Sequence, residues 1–201
     1  MKTRVPQKSN SIEKKNRLSE TCYYLICEYG LEAVSSSMIC DRAKVSVGTF
    51  YAYFKDKEEI VFDAITKFSK PILFPIYDNI NKISPNPKFV PVIVKKLLNI
   101  SLENHTLTKK AHQNIMSTIY SNENLFNIYK EYSENELEKL TKLFIENNFK
   151  EENLKKNLYT SLSLIESFVH EKIFYPKDFI DYKKQEKDLI NYLTNLLESN
   201  T

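Results

Sequence analysis

The chain has 201 residues, 42% of them apolar and 27% charged, values of a folded globular protein long enough for one sizeable core. With two glycines it has no Gly-rich phosphate loop, and with no run of about 18 apolar residues it has no candidate membrane span. The net charge of +3 is unevenly placed: residues 1–57 hold ten Lys/Arg against six Asp/Glu, leaving −1 on the remainder. That is the outline of a nucleic-acid-binding module ahead of a near-neutral body, and a solvated basic tail accounts for it equally well.

Residues 1–10 are polar, basic and unpatterned, and are expected to form a flexible arm. From Ser11, Leu18, Cys22, Leu25, Ile26 and Tyr29 make one apolar stripe at helical spacing, and Gly30 sits where a left-handed cap ends that helix. Ser35 reads as the N-cap of a short helix with Ile39, Cys40 and Ala43 inward, and Ser46 as the cap of a second containing Thr49, Phe50 and Tyr51. Asp56 and Glu59 form a D-x-x-E capping pattern that opens a fourth helix towards Ser69, interrupted by Pro71 and Pro75. Ser84-Pro85-Asn86-Pro87 is a loop. Further helices follow over about 88–103, 108–120, 123–146 and 151–174, and a last one is capped by Asp178. The expected fold is all-α, with about nine helices and no strand.

A supporting helix followed by two short helices and a tight turn spells helix-turn-helix. The residues themselves add more. Gly30-Leu31-Glu32-Ala33-Val34-Ser35 and the run Ile39-Cys40-Asp41-Arg42-Ala43-Lys44-Val45-Ser46-Val47-Gly48-Thr49-Phe50-Tyr51-Ala52-Tyr53-Phe54-Lys55-Asp56-Lys57-Glu58 resemble the N-terminal domain of the TetR (tetracycline repressor) family over roughly residues 12–62. Lys44 departs from that pattern, since the family commonly places glycine in the turn. The resemblance implies a helix-turn-helix DNA-binding domain over 11–55 and an effector-binding and dimerisation domain over 56–201. It also implies that Val47, Gly48, Thr49, Ala52 and Tyr53 face the major groove or its walls, with Ser46 among the DNA-binding residues at the start of that helix. Tyr51, Ser35 and Lys57 then meet phosphate, while Phe50 and Phe54 pack in the small domain's core. The basic arm (Lys2, Arg4, Lys8, Lys14, Lys15 and Arg17) lies on phosphates or enters the minor groove, or is simply a solvated tail.

Beyond residue 62 only periodicity speaks. The resemblance implies an effector pocket, for which Met116, Tyr120 and Phe168 are candidates, and a homodimer interface on the last two helices. For that interface the apolar stripes Leu158, Leu162, Ile165, Val169 and Ile190, Leu193, Leu197 are the candidates. His105, His112 and His170 show no metal spacing and read as structural or surface residues. Glu166 and His170 can pair at i, i+4. Cys22, Cys27 and Cys40 lie on apolar stripes and read as core, and an odd count without framework spacing fits a reducing compartment. No nucleophile elbow and no acid–base cluster is present, so an enzyme is not expected. No cofactor and no metal is expected either.

The function expected is a cytoplasmic DNA-binding transcriptional regulator, a repressor released from its double-stranded operator by a small hydrophobic or amphipathic ligand. The alternatives are a DNA-binding protein of the same fold without an effector, or a helical small-molecule-binding protein.

Overall fold

The computed structural model describes residues 9–105 and 107–201, so most of the predicted basic arm lies outside the described residues. The described residues form helices and connecting turns, with no strand. In order these are α1 (Ser9–Tyr29), α2 (Ser36–Ala43), α3 (Val47–Tyr53), α4 (Lys57–Phe68), α5 (Lys70–Leu73), α6 (Pro75–Asp78), α7 (Val90–Asn104), α8 (Lys109–Tyr120), α9 (Glu123–Glu146), α10 (Leu154–Phe174) and α11 (Tyr182–Glu198). Single turns of 3-10 helix occupy Leu31–Ala33, Ile80–Lys82 and Pro87–Phe89. The stretch around Pro71 and Pro75 is not a plain interruption. It folds as α5 and α6, two four-residue helices beyond the nine expected, and Pro75 opens α6 at the first helical position, where its missing N–H costs nothing.

The chain packs as two compact units. The first comprises the described residues up to Lys70 together with Leu107–Tyr129. Here α1 packs against α2, α4 and α8. Its core holds Leu18, Cys22, Ile26, Ile39, Phe50, Phe54, Ile60 and Ile65 with Ile115 and Ile119 of α8, all buried. Ser19 of α1 donates to Asp63 of α4 at 2.5 Å. Gly30 ends α1 with φ 84° and ψ 159°, a region that a Cβ disfavours and a more extended one than the left-handed cap expected. Asn114 of α8 completes that end: its amide donates to the Cys27 carbonyl at 3.1 Å, and a Cβ on Gly30 would sit 3.4 Å from its oxygen.

The second unit comprises the described residues of 71–106 and Lys130–Thr201. In it α7 packs against α10 and α11, and α10 against α11. This placement corrects the assignment of the late apolar stripes. Leu158, Ile165, Val169, Leu193 and Leu197 are fully buried within the single chain, and Leu162 is only 8% exposed. They form this unit's own core with Leu97, Leu98, Leu140 and Phe144, and only Ile190 remains half-buried at its edge. A stripe shows that a face is covered; here α7 and the packing of α10 on α11 cover it, with Leu137, Leu140 and Phe144 of α9 in the same core.

Two connections are set by single side chains. Asn148 adopts φ 69° after α9, as an Asn-Asn stop allows. The cap of α11 is Asp181 rather than Asp178: its carboxylate accepts from the Lys183 and Lys184 N–H groups. The Tyr182 hydroxyl accepts from the Lys177 N–H at 2.9 Å, closing the preceding loop. A start at Asp178 would carry Phe179, 86% exposed, into the first turn.

Candidate nucleic-acid interface

Two serines and one aspartate set the local geometry. Ser35, extended at φ −116°, accepts from the Met38 N–H at 3.2 Å and opens α2. Ser46 accepts from the Thr49 N–H at 3.2 Å, and its hydroxyl also pairs with the Thr49 hydroxyl at 2.9 Å, opening α3. Asp56 accepts from the Glu59 N–H at 2.9 Å, while the Glu59 carboxylate reaches back to the Lys55 N–H at 2.5 Å, so the capping pattern is reciprocal but displaced by one residue. Between α2 and α3 the turn is made by Lys44, in the left-handed region at φ 53°, ψ 50°. The family's usual glycine is absent, but the backbone conformation that favours it is kept.

The short helix α3 divides cleanly by face. Phe50 and Phe54 are fully buried, as expected of core residues. Ser46, Val47, Gly48 and Tyr51 are exposed and Thr49 and Ala52 half-buried, a small, mostly apolar surface at the start of the helix. Tyr53 departs from the expected groove-facing set. It is only 7% exposed, because positions 50, 53 and 54 share one helical face and turn its ring into the core. Tyr51 stands edge-on to Phe50 with centroids 5.1 Å apart, leaving its ring 44% exposed. Lys57 is half-buried and donates through Nζ to the Leu31 carbonyl at 2.8 Å, tying the start of α4 to the turn after α1. An ammonium keeps two further donors for a phosphate. Lys15 of α1 lies over the Phe54 ring at 5.1 Å, and Arg42 pairs with Glu28 at 3.0 Å.

The remaining candidates fall elsewhere. On α8, in the first unit, Met116 is half-buried and Tyr120 is 65% exposed, its ring 6.0 Å from Phe126. Phe168 belongs to the second unit, 7% exposed against Tyr182 and Lys172. Cys22 and Cys40 are buried and Cys27 half-buried, and burial pushes all three thiols up, Cys22 to about 12. In the second unit the expected i, i+4 pair of Glu166 and His170 on α10 stands at 3.6 Å, and His105, at the end of α7, joins it, which no spacing in the sequence announces. Burial, then the neighbouring His170, lowers His105 to about 4; burial lowers His170 and raises Glu166, whose rise is partly offset by a hydrogen bond from Ser101.

Residues 24–64 match the sequence model of the bacterial regulatory proteins of the tetR family. An HTH-type transcriptional regulator of Staphylococcus aureus is 25% identical over 100 residues, which are 50% of this chain and 54% of that protein, so the match spans about half the length of its curated relative. Among solved structures, a transcriptional regulator of the TerR/AcrR family from Aquifex aeolicus has 22% identity and a TM-score of 0.58, with 91% of this chain and 99% of that one covered. A protein of Mesorhizobium loti assigned to the TetR-family transcriptional regulators has 14% identity and a TM-score of 0.68, with 96% and 98% covered. The two structural likenesses carry the all-α fold across nearly the whole chain. The sequence match carries a likeness to the tetR regulators over residues 24–64, within the first unit.

Proposed function

We propose, for a chain that belongs through its N-terminal domain to the TetR family of bacterial regulatory proteins, that α3 reads an operator in double-stranded DNA and that the chain acts as a repressor. The observation that carries this reading is the division of α3: a capped helix whose Val47, Gly48 and Tyr51 are exposed and Thr49 and Ala52 half-buried, while Phe50, Tyr53 and Phe54 anchor it. A major groove accepts one helix, and residues near its N-terminus meet base edges. Val47 and Ala52 cannot hydrogen-bond a base but fit a thymine methyl, and Thr49 offers a methyl and a hydroxyl. Phosphate contacts from Tyr51, Ser35 and Lys57 then supply much of the affinity, which makes it salt-dependent.

The chain works as a homodimer in this proposal, because two reading helices about one DNA turn apart, roughly 34 Å, double the contact. With the late stripes buried, the apolar side chains left for a second copy on α10 and α11 include Tyr159, Ile173 and Tyr192, exposed, and Leu164, Tyr182, Leu189, Ile190 and Leu196, half-buried. Release comes from a hydrophobic or amphipathic ligand that binds the DNA-incompetent state more tightly, since equal affinity for both states shifts nothing. Of the candidate effector contacts, Met116 and Tyr120 on α8 are accessible, whereas Phe168 is packed against Tyr182.

Selection of bound DNA from a random pool tests the reading. An enriched two-fold site, lost in Val47→Glu and weakened in Tyr51→Phe, is the expected result. A pool that wild-type protein does not enrich, or that both variants enrich equally, overturns it. A ligand that raises the melting temperature and lowers affinity for the selected site tests release.

A further inference from the structure

The geometry points to a site for a divalent first-row transition ion, zinc in the first place, in the second unit at His105, Glu166 and His170. Ligand atoms of these three side chains all lie within 4.8 Å of one another. Two imidazoles and one carboxylate are a nitrogen-rich set that suits zinc, cobalt or nickel and not magnesium or calcium, which take oxygen.

The distances come near to what an ion requires. Zinc binds nitrogen and oxygen at about 2.1 Å, so the ligand atoms of a tetrahedral site stand roughly 3.4 Å apart. His170 Nε2 and Glu166 Oε2, one helical turn apart on α10, are already 3.6 Å apart. The ligand atoms of all three side chains lie within 4.8 Å of one another, so a closure of at most roughly 1.4 Å by side-chain rotation brings the third donor in. His170 and Glu166 keep about a third of their side-chain surface open, which gives an ion a way in.

The surroundings resemble a supporting shell. Ser101 of α7 donates to Glu166 Oε1 at 2.6 Å and leaves Oε2, the oxygen nearer His170, for the ion. The Phe174 ring lies 4.9 Å from His105 and 5.7 Å from His170 and backs both imidazoles with an apolar wall. Three protein ligands leave a fourth position for water or an exogenous donor. His105 closes α7, so ligation pins the end of that helix to the second half of α10. The alternative is a packed histidine pair beside a carboxylate, with no affinity for metal.

Full-length protein stripped with a chelator and titrated with Co²⁺ separates the two. One ion per chain is expected, with the ligand-field absorption of a four-coordinate site, and Zn²⁺ displaces it. His105→Ala and His170→Ala should each weaken binding at least a hundredfold. Ser101→Ala should weaken it about tenfold through loss of support. Glu166→Gln keeps the side-chain shape, so a folded variant with altered Co²⁺ absorption reports the carboxylate directly. His112→Ala, which removes the remaining histidine, should change nothing. No saturable binding by wild-type protein overturns the proposal. So does one-to-one binding that survives in both folded histidine variants. The titration contains no DNA, so its failure leaves the operator-binding reading standing, and the reverse.

Discussion

Lys44 holds a backbone conformation that a side chain disfavours, at φ 53°, in the turn where α2 gives way to α3. Replacing it with glycine removes a Cβ clash worth about 1 kcal/mol, less a little unfolded-state entropy. Lys44→Gly is therefore expected to raise the melting temperature, read by circular dichroism; an unchanged or lower value would mean that the turn is not strained. The cysteines make a second test at this scale. Cys22 and Cys40 are buried and burial raises their thiols, so the reactive thiolate is scarce. A thiol reagent at pH 8 should label half-buried Cys27 first and the other two only as the protein unfolds, which mass spectrometry of timed samples resolves. Single residues were legible unevenly. Ser35, Ser46 and Asp56 announce their caps because a short polar acceptor before an apolar period has few other uses. Tyr53 did not announce its burial, since a tyrosine suits a wet wall and a core equally.

At the scale of the element, α3 has only seven residues and depends on its cap. Ser46→Ala removes the acceptor for the Thr49 N–H and should cost about 1 kcal/mol. Operator affinity is expected to fall with it, measured by fluorescence anisotropy, even though other groups make the base contacts. For α10 and α11 periodicity established that a face is covered and could not say by what. The structure assigns that face to α7 and the packing of α10 on α11, with α9 in the same core, so Ile165→Glu or Leu193→Glu buries a charge and should abolish cooperative unfolding rather than yield folded monomers. Tyr159→Glu with Tyr192→Glu, on exposed positions, is the pair expected to keep the fold and lose the proposed dimer, as sedimentation would read. Folded, dimeric Leu193→Glu protein would count against this packing. The start of α11 escaped the sequence for a related reason: Asp178 and Asp181 are equally good caps in isolation, and only the Tyr182 contacts with Lys177 and Phe168 choose between them.

For the molecule as a whole, the proposed reading by α3, whose Val47 and Ala52 offer no hydrogen bond to a base, predicts an A·T-rich operator core. Replacing thymine by uracil opposite Val47 and Ala52 removes only the methyls and should weaken binding by about 1 kcal/mol at each position. Lys57→Ala should weaken all sequences alike and flatten the salt dependence. It should also lower the melting temperature, because the Leu31 carbonyl loses its charged donor and keeps only the longer bond from the Val34 N–H at 3.3 Å. Long-range gatherings are what one sequence hides most completely: His105 and Glu166 stand far apart along the chain, and no local period connects them. The same is true of Asn114, whose amide finishes α1 from α8. That contact has a consequence for synthesis. Chain leaves the ribosome from its N-terminus, and the face of α1 that meets Ile115 and Ile119 has no cover until α8 has emerged. A nascent chain halted near residue 80 carries every residue of the helix-turn-helix and still lacks a wall of its core, so it should remain protease-sensitive and bound by chaperones, gaining protection only once residue 129 has cleared the exit tunnel.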